Sequence, residues 1–125
     1  MDLRYEMRRD HLRVVAEGPF DPQRARIELA NIIRRSADSG MTRILIDARG
    51  ISQPVSIADR YELATQLADQ SHGKVRLAIV VAHINLFTKT LEDTATNRGV
   101  AVRTTASMQE ASDFLGIAEE PGQAA

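Results

Sequence analysis

The chain contains no cysteine and no tryptophan among its 125 residues. The first absence excludes disulfides, thiolate metal sites, cysteine nucleophiles and thiol redox chemistry together. Other aromatics are scarce, with two Tyr and three Phe. The core must therefore be aliphatic, and a base-stacking platform for single-stranded nucleic acid is not provided. Neither sign of charge dominates: 16 Lys and Arg face 17 Asp and Glu, for a net charge of −1. A nucleic-acid wrapper or a polybasic membrane binder needs a clear positive excess. Long apolar runs are missing too. The longest, residues 77–82, falls far short of the ~20 residues that span a bilayer. The charged start, Met1-Asp2-Leu3-Arg4, predicts no signal peptide. The expectation is a cytoplasmic protein that binds no nucleic acid and is not an integral membrane protein.

The hydrophobic pattern gives the elements. Leu3, Tyr5 and Met7 alternate with Arg4, Glu6 and Arg8, and Leu12, Val14 and Ala16 alternate with Arg13 and Glu17. Two such runs around Arg9-Asp10 predict an edge hairpin with one wet face. Asp21-Pro22 opens a helix with the stripe Ala25, Leu29, Ile32, Ile33 and Ala37, stopped by Gly40. A short strand at residues 43–47 leads into a loop over residues 48–55. Ser56 caps a second helix with Ile57, Tyr61, Ala64, Leu67 and Ala68 inward and Gly73 as its stop. Residues 75–82 predict a strand buried on both faces. Asn85 caps a third helix, with Leu86, Phe87, Leu91 and Ala95 as its stripe. Residues 100–102 form a last strand, and Ser107-Met108-Gln109-Glu110 is a capping box before a final helix. The order ββαβαβαβα predicts an α/β fold: a five-stranded mixed sheet, its N-terminal hairpin supplying an antiparallel edge strand and the rest parallel, with four helices. One domain is expected over residues 1–117, with a disordered tail at 118–125.

This layout resembles the STAS (anti-sigma factor antagonist) fold, and within it the SpoIIAA-like branch, also described as STAS/SEC14-like. The resemblance covers residues 3–117. It is carried by Ile44-Leu45-Ile46-Asp47-Ala48-Arg49, Arg60-Tyr61-Glu62-Leu63-Ala64, Arg76-Leu77-Ala78-Ile79-Val80-Val81, the Asn97-Arg98-Gly99-Val100-Ala101-Val102-Arg103 run and the closing Glu110-Ala111-Ser112-Asp113-Phe114-Leu115. STAS antagonists carry Asp-Ser-Ser-Gly at the start of the helix after the third strand, and a partner kinase phosphorylates the second serine. The matching stretch here is Val55-Ser56-Ile57-Ala58. Only Ser56 has a counterpart, and Ile57 stands at the phospho-acceptor position. The resemblance implies a regulatory, protein-binding scaffold without the established phosphoswitch.

Candidate sites follow from position. In open α/β sheets, ligands collect at the carboxyl ends of the strands. Ser56 is a candidate phosphosite, since phosphate is favoured at a helix N-terminus, although a plain N-cap explains it more simply. Arg49, Ile51, Ser52, Val55 and Ile57 form the expected partner-contact loop. Asp47, His83 and Asn85 form a polar strand-end rim, where Asp47 could orient His83 as a base. Such residues are common at strand ends, and no catalytic constellation is complete. His11 and His72 are isolated, so no metal site and no cofactor are expected. Tyr61, Ile84, Leu86, Phe87 and Leu91 are the candidates for an apolar groove between the second and third helices, against the simpler reading of ordinary core. Members of the resembled branch have been associated with lipophilic ligands.

The expected function is therefore a non-enzymatic regulatory module with a protein partner. The second reading is a carrier or sensor of a small lipophilic molecule. An enzyme using Asp47 and His83 comes third. The hairpin edge also offers a surface for a homodimer, though its charges oppose simple strand addition.

Overall fold

A computed structural model describes residues 1–84 and 89–118. It contains β1 (Asp2–Met7), β2 (Leu12–Gly18), α1 (Pro22–Ser39), β3 (Arg43–Ile51), α2 (Ile57–Ser71), β4 (Arg76–Val80), α3 (Thr90–Asn97), β5 (Ala101–Thr105) and α4 (Met108–Leu115). The five strands lie in the order β1-β2-β3-β4-β5. β1 pairs antiparallel with β2, and every later pair is parallel. This is the expected α/β architecture of a mixed five-stranded sheet and four helices.

The strand order determines which face each helix covers. Every crossover from β2 to β5 steps one strand in the same direction. Crossovers of one hand must then place their helices on one face. Ile32 and Ile33 of α1, Ala64 and Leu67 of α2 and Ala95 of α3 accordingly share one core with Leu12, Val14, Ile44, Leu77 and Val102. α4 alone covers part of the other face, where Ala111 and Leu115 pack on Leu45, Ala78 and Val80. Alternate residues of β3 and β4 thus feed different cores, as the two-residue period of a strand requires.

Local chemistry sets the helix ends. The Asp21 carboxylate accepts from the Gln23 and Arg24 amides, Pro22 takes the first turn, and Gly40 closes α1 in the left-handed region. Ser56 Oγ accepts from the Asp59 amide at the start of α2. α2 ends one residue before the expected glycine, because His72 itself adopts φ 54°. Ser107 caps α4 through the Glu110 amide. The reciprocal half of that box is absent: Glu110 turns to Thr105 and Arg103, and the Ser107 amide donates to Thr105 Oγ1 instead.

Several expectations are corrected. β3 runs on to Ile51, so Ala48-Arg49-Gly50-Ile51 is strand, not loop. It continues because β2 also continues: past a register shift, Glu17 and Gly18 pair with Gly50 and Ile51. Glycine suits position 50, since a Cβ there would come within 2.8 Å of Glu17 Cγ. Ser36, not Ala37, completes the inner stripe of α1, because its hydroxyl is satisfied by the Met41 carbonyl. Met7 is exposed rather than inward. His11, placed by the sequence in a turn, is fully buried, with Nδ1 2.8 Å from Asp10 Oδ1. The expected start of the third helix at Asn85, Leu86 and Phe87 lies outside the described residues, and α3 is described from Thr90. Of the expected tail at 118–125, only Ala118 is described; its amide donates to Asp10 Oδ2.

Leu77 lies in the middle of the larger core and is 1% exposed. Leu77→Ala is expected to lower unfolding stability by about 2–5 kcal/mol. Urea denaturation should show a lower midpoint with an unchanged slope.

Candidate functional site

The two long helices are buried unevenly. Their C-terminal halves supply Ile32, Ile33 and Ser36 of α1 and Ala64, Leu67 and Ser71 of α2 to the core. Their N-terminal halves, with Ala25, Glu28, Leu29, Arg60 and Leu63, are only partly buried. Between these halves and the sheet lies a cavity of about 410 Å³. Leu67 and Leu77 belong to its deep wall, and Ile46, Ala48, Ile79 and Val81 line it from the sheet. Phe20 and residues 51–55 complete the rim. Ile46 and Ile79 stand on inner strands under helices, yet both remain partly accessible because the cavity reaches them. The space opens toward the carboxyl ends of the parallel strands, where such sheets place ligands.

Among the described residues, the wall is apolar except for a few side chains. Glu28 accepts a hydrogen bond from the Tyr5 hydroxyl. Burial and the neighbouring Glu28 carboxylate push that hydroxyl well above its ordinary range. Arg60 lines the cavity, and its Nη1 is buried without a hydrogen-bond partner. Burial works against its charged form and lowers its pKa. Thr104 is 3% exposed and also contributes to the wall, with Oγ1 buried and unpartnered. His83 lines the exposed rim.

The expected site residues separate into groups. Ile51, Ser52 and Val55 line the cavity, so the stretch predicted to meet a partner also borders this space. Leu91 lines the cavity from α3. Tyr61 does not: it is exposed, its hydroxyl accepts from Arg98 Nη2 at 2.9 Å, and the guanidinium lies 5.7 Å from its ring centre. Ile57 and Ile84 are exposed. Leu86 and Phe87 lie outside the described residues, as does Asn85. The cavity described lies between α1, α2 and the sheet, with Leu91 of α3 also on its wall. Ser56 is engaged as a cap, with Oγ also donating to Asp59 Oδ2 at 2.9 Å.

Asp47 and His83 are not brought together. Ile46 and Ala48 point into the cavity, so Asp47 between them projects from the opposite face. There Asp47 accepts from Arg49 Nε at 2.9 Å and Nη2 at 2.8 Å, a two-pronged pair. Arg13 stands 3.6 Å away and also faces Glu6. This network of charges covers the sheet face that α4 leaves open. Arg8 adds a further contact to Glu6. No group of three potential metal ligands occurs among the described residues.

Arg60 escaped the sequence reading, although its signal was present. Stepping back from Ser71 through Leu67 and Ala64 by helical spacing lands on residue 60. The phase chosen instead, through Ile57 and Tyr61, was rotated by one residue. Hydrophobicity misled it: two large apolar residues sit on the outer face, and an arginine opens the inner one.

No protein-family model matches the chain, and no curated protein matches it. Among solved structures, the NMR structure of the protein TM1081 is similar over 90% of this chain and 86% of that one, with 13% identity and a TM-score of 0.54. The likeness is one of fold alone. No helix among the described residues is long and apolar enough to cross a membrane.

The Arg49 hydrogen bonds hold the Asp47 carboxyl below its ordinary value of 3.8, against the opposing effect of burial. A carboxyl depressed in the folded state stabilises fully above its unfolded value, and the contribution is lost as pH falls through the folded one. Wild-type stability should therefore decline more steeply than that of Asp47→Asn between about pH 5 and pH 2. Urea midpoints measured across that range should converge at the acid end.

Proposed function

We propose that this chain is a non-enzymatic binding module for a small lipophilic ligand, held between α1, α2 and the sheet of a STAS/SpoIIAA-like fold. The observation that carries the reading is the apolar cavity of about 410 Å³ at the carboxyl ends of the strands. Its size lies within the range of about 300–1,000 Å³ found for small-molecule sites. Ordinary packing leaves few voids larger than a water molecule. A space that keeps Ile46 and Ile79 partly accessible is therefore better explained by an occupant than by loose packing. Catalysis by Asp47 and His83 has no geometric support, because the sheet divides the two side chains.

A second reading, a regulatory contact with a protein partner, is favoured by a different observation. Ile57 and Tyr61, four residues apart on α2, are both exposed. They form an apolar strip beside the cap at Ser56. The two readings are compatible, since residues 51–55 border the cavity and lead into this strip. A ligand that moved this loop would be felt at the partner surface.

The neutral apolar dye N-phenyl-1-naphthylamine is expected to bind the purified protein with enhanced fluorescence. Ala48→Phe, which fills the cavity from β3, should weaken that binding by about tenfold or more. Equal binding by wild type and Ala48→Phe would place the dye elsewhere and remove the support for a ligand cavity. For the partner reading, Ser56→Asp sets a new carboxylate beside Asp59. It should change capture of a partner that Ser56→Ala still binds; identical behaviour of the two variants would count against a switch at this position.

A further inference from the structure

Arg60 is the anomaly of the cavity. It occupies the first inward position of α2, where helical spacing calls for an apolar side chain. Arg60 is half-buried, and a buried guanidinium nitrogen is normally paired. Here Nη1 is buried without any hydrogen-bond partner. Leaving a charged donor unsatisfied carries a larger penalty than leaving a neutral one. A residue whose charge is disfavoured by its surroundings, at the wall of an apolar space, is suited to pair with an incoming anion. A second wall atom, Thr104 Oγ1, is likewise buried and unpartnered. The wall thus offers one guanidinium nitrogen and one hydroxyl without internal partners.

The other charged groups of the wall limit the charge of the occupant. Glu28 brings a carboxylate, already engaged by the Tyr5 hydroxyl. A doubly charged head would face that carboxylate with only one guanidinium to balance it. A singly charged, planar head suits the fork of N–H donors on a guanidinium best. The remaining wall, including Leu29, Ile46, Leu63 and Ile79, suits a hydrocarbon chain.

We propose that the cavity binds a lipophilic carboxylic acid whose head group pairs with the Arg60 guanidinium while its chain lies along the apolar wall. This rests on the reading of the cavity as a ligand site and specifies the chemical class of its occupant. Apolar burial supplies the affinity, and the arginine selects acids over neutral amphiphiles of equal length.

Decanoate and decanol, which share a chain and differ in the head, provide the test. Each is titrated against bound N-phenyl-1-naphthylamine near neutral pH, where the acid is ionised. Wild-type protein should bind decanoate more tightly than decanol. In Arg60→Gln the ratio of the two affinities should fall by about tenfold or more. Arg60→Met, which keeps the bulk of the stem without its charge, should behave in the same way. Should Arg60→Gln fail to fold by circular dichroism, Arg60→Met decides the matter. Arg34→Gln removes an exposed arginine elsewhere and should leave the ratio unchanged. If wild type binds the dye but shows no preference for decanoate, or if both Arg60 variants keep that preference, the arginine anchor is overturned while the cavity reading survives. The anchor is equally overturned if Arg34→Gln lowers the ratio as far as Arg60→Gln does, because general charge attraction would then explain it. If wild type binds none of dye, decanol or decanoate, the cavity reading fails and the anchor fails with it.

Discussion

The strand order β1-β2-β3-β4-β5 is the constraint on which the rest depends. Because the parallel crossovers never reverse direction, α1, α2 and α3 crowd onto one face of the sheet. The opposite face is left to α4, which reaches only part of it. Two unlike surfaces follow. One is a layer of three helices over aliphatic strands. The other is a small apolar patch continued by paired charges. The cavity belongs to the first surface and the Asp47 network to the second, and the thickness of a sheet keeps them apart.

Uneven burial along α1 and α2 turns that layer into a site. Their C-terminal halves are packed down by Ile32, Ile33, Ala64 and Leu67. Their N-terminal halves carry smaller or charged residues inward, with Ala25 and Glu28 on α1 and Arg60 on α2. Such side chains cannot close the space over Ile46 and Ile79. The opening therefore falls at the carboxyl ends of the strands, bordered by residues 51–55. Caps hold the two helix starts firmly, through Asp21 and Ser56. The cavity is thus framed by capped helix ends, and its space comes from side-chain choice.

The two arginines near the strand ends show how environment assigns roles. Arg49 is half-exposed and satisfied by both oxygens of Asp47. Arg60 has one buried nitrogen, Nη1, without a hydrogen-bond partner. In the sequence the two look alike, each near a predicted loop or helix start. Arg49 completes a structural pair; Arg60 brings an unpartnered nitrogen to a largely apolar wall. Glu28 is intermediate, lining the cavity yet held by Tyr5.

By itself the sequence determined the kinds of element, their order and most of their ends. Alternation in Leu12, Val14 and Ala16, the caps at Asp21, Ser56 and Ser107, and the stop at Gly40 are local signals, and local chemistry enforces them. The missing cysteines and scarce aromatics also determined an aliphatic scaffold. Only the tertiary structure decided that β3 extends through Gly50 to Ile51, because that extension needs β2 alongside to supply the pairing. It alone decided that Tyr61 faces outward to Arg98, that Arg60 faces inward, and that Asp47 and His83 are divided by the sheet. Each of these turns on a phase or a face. A shift of one residue on a helix rotates a side chain by about 100°, and a shift of one on a strand sends it to the opposite side. The hydrophobic pattern around residues 57–64 admits either phase, and packing against neighbours distant in the chain selects one.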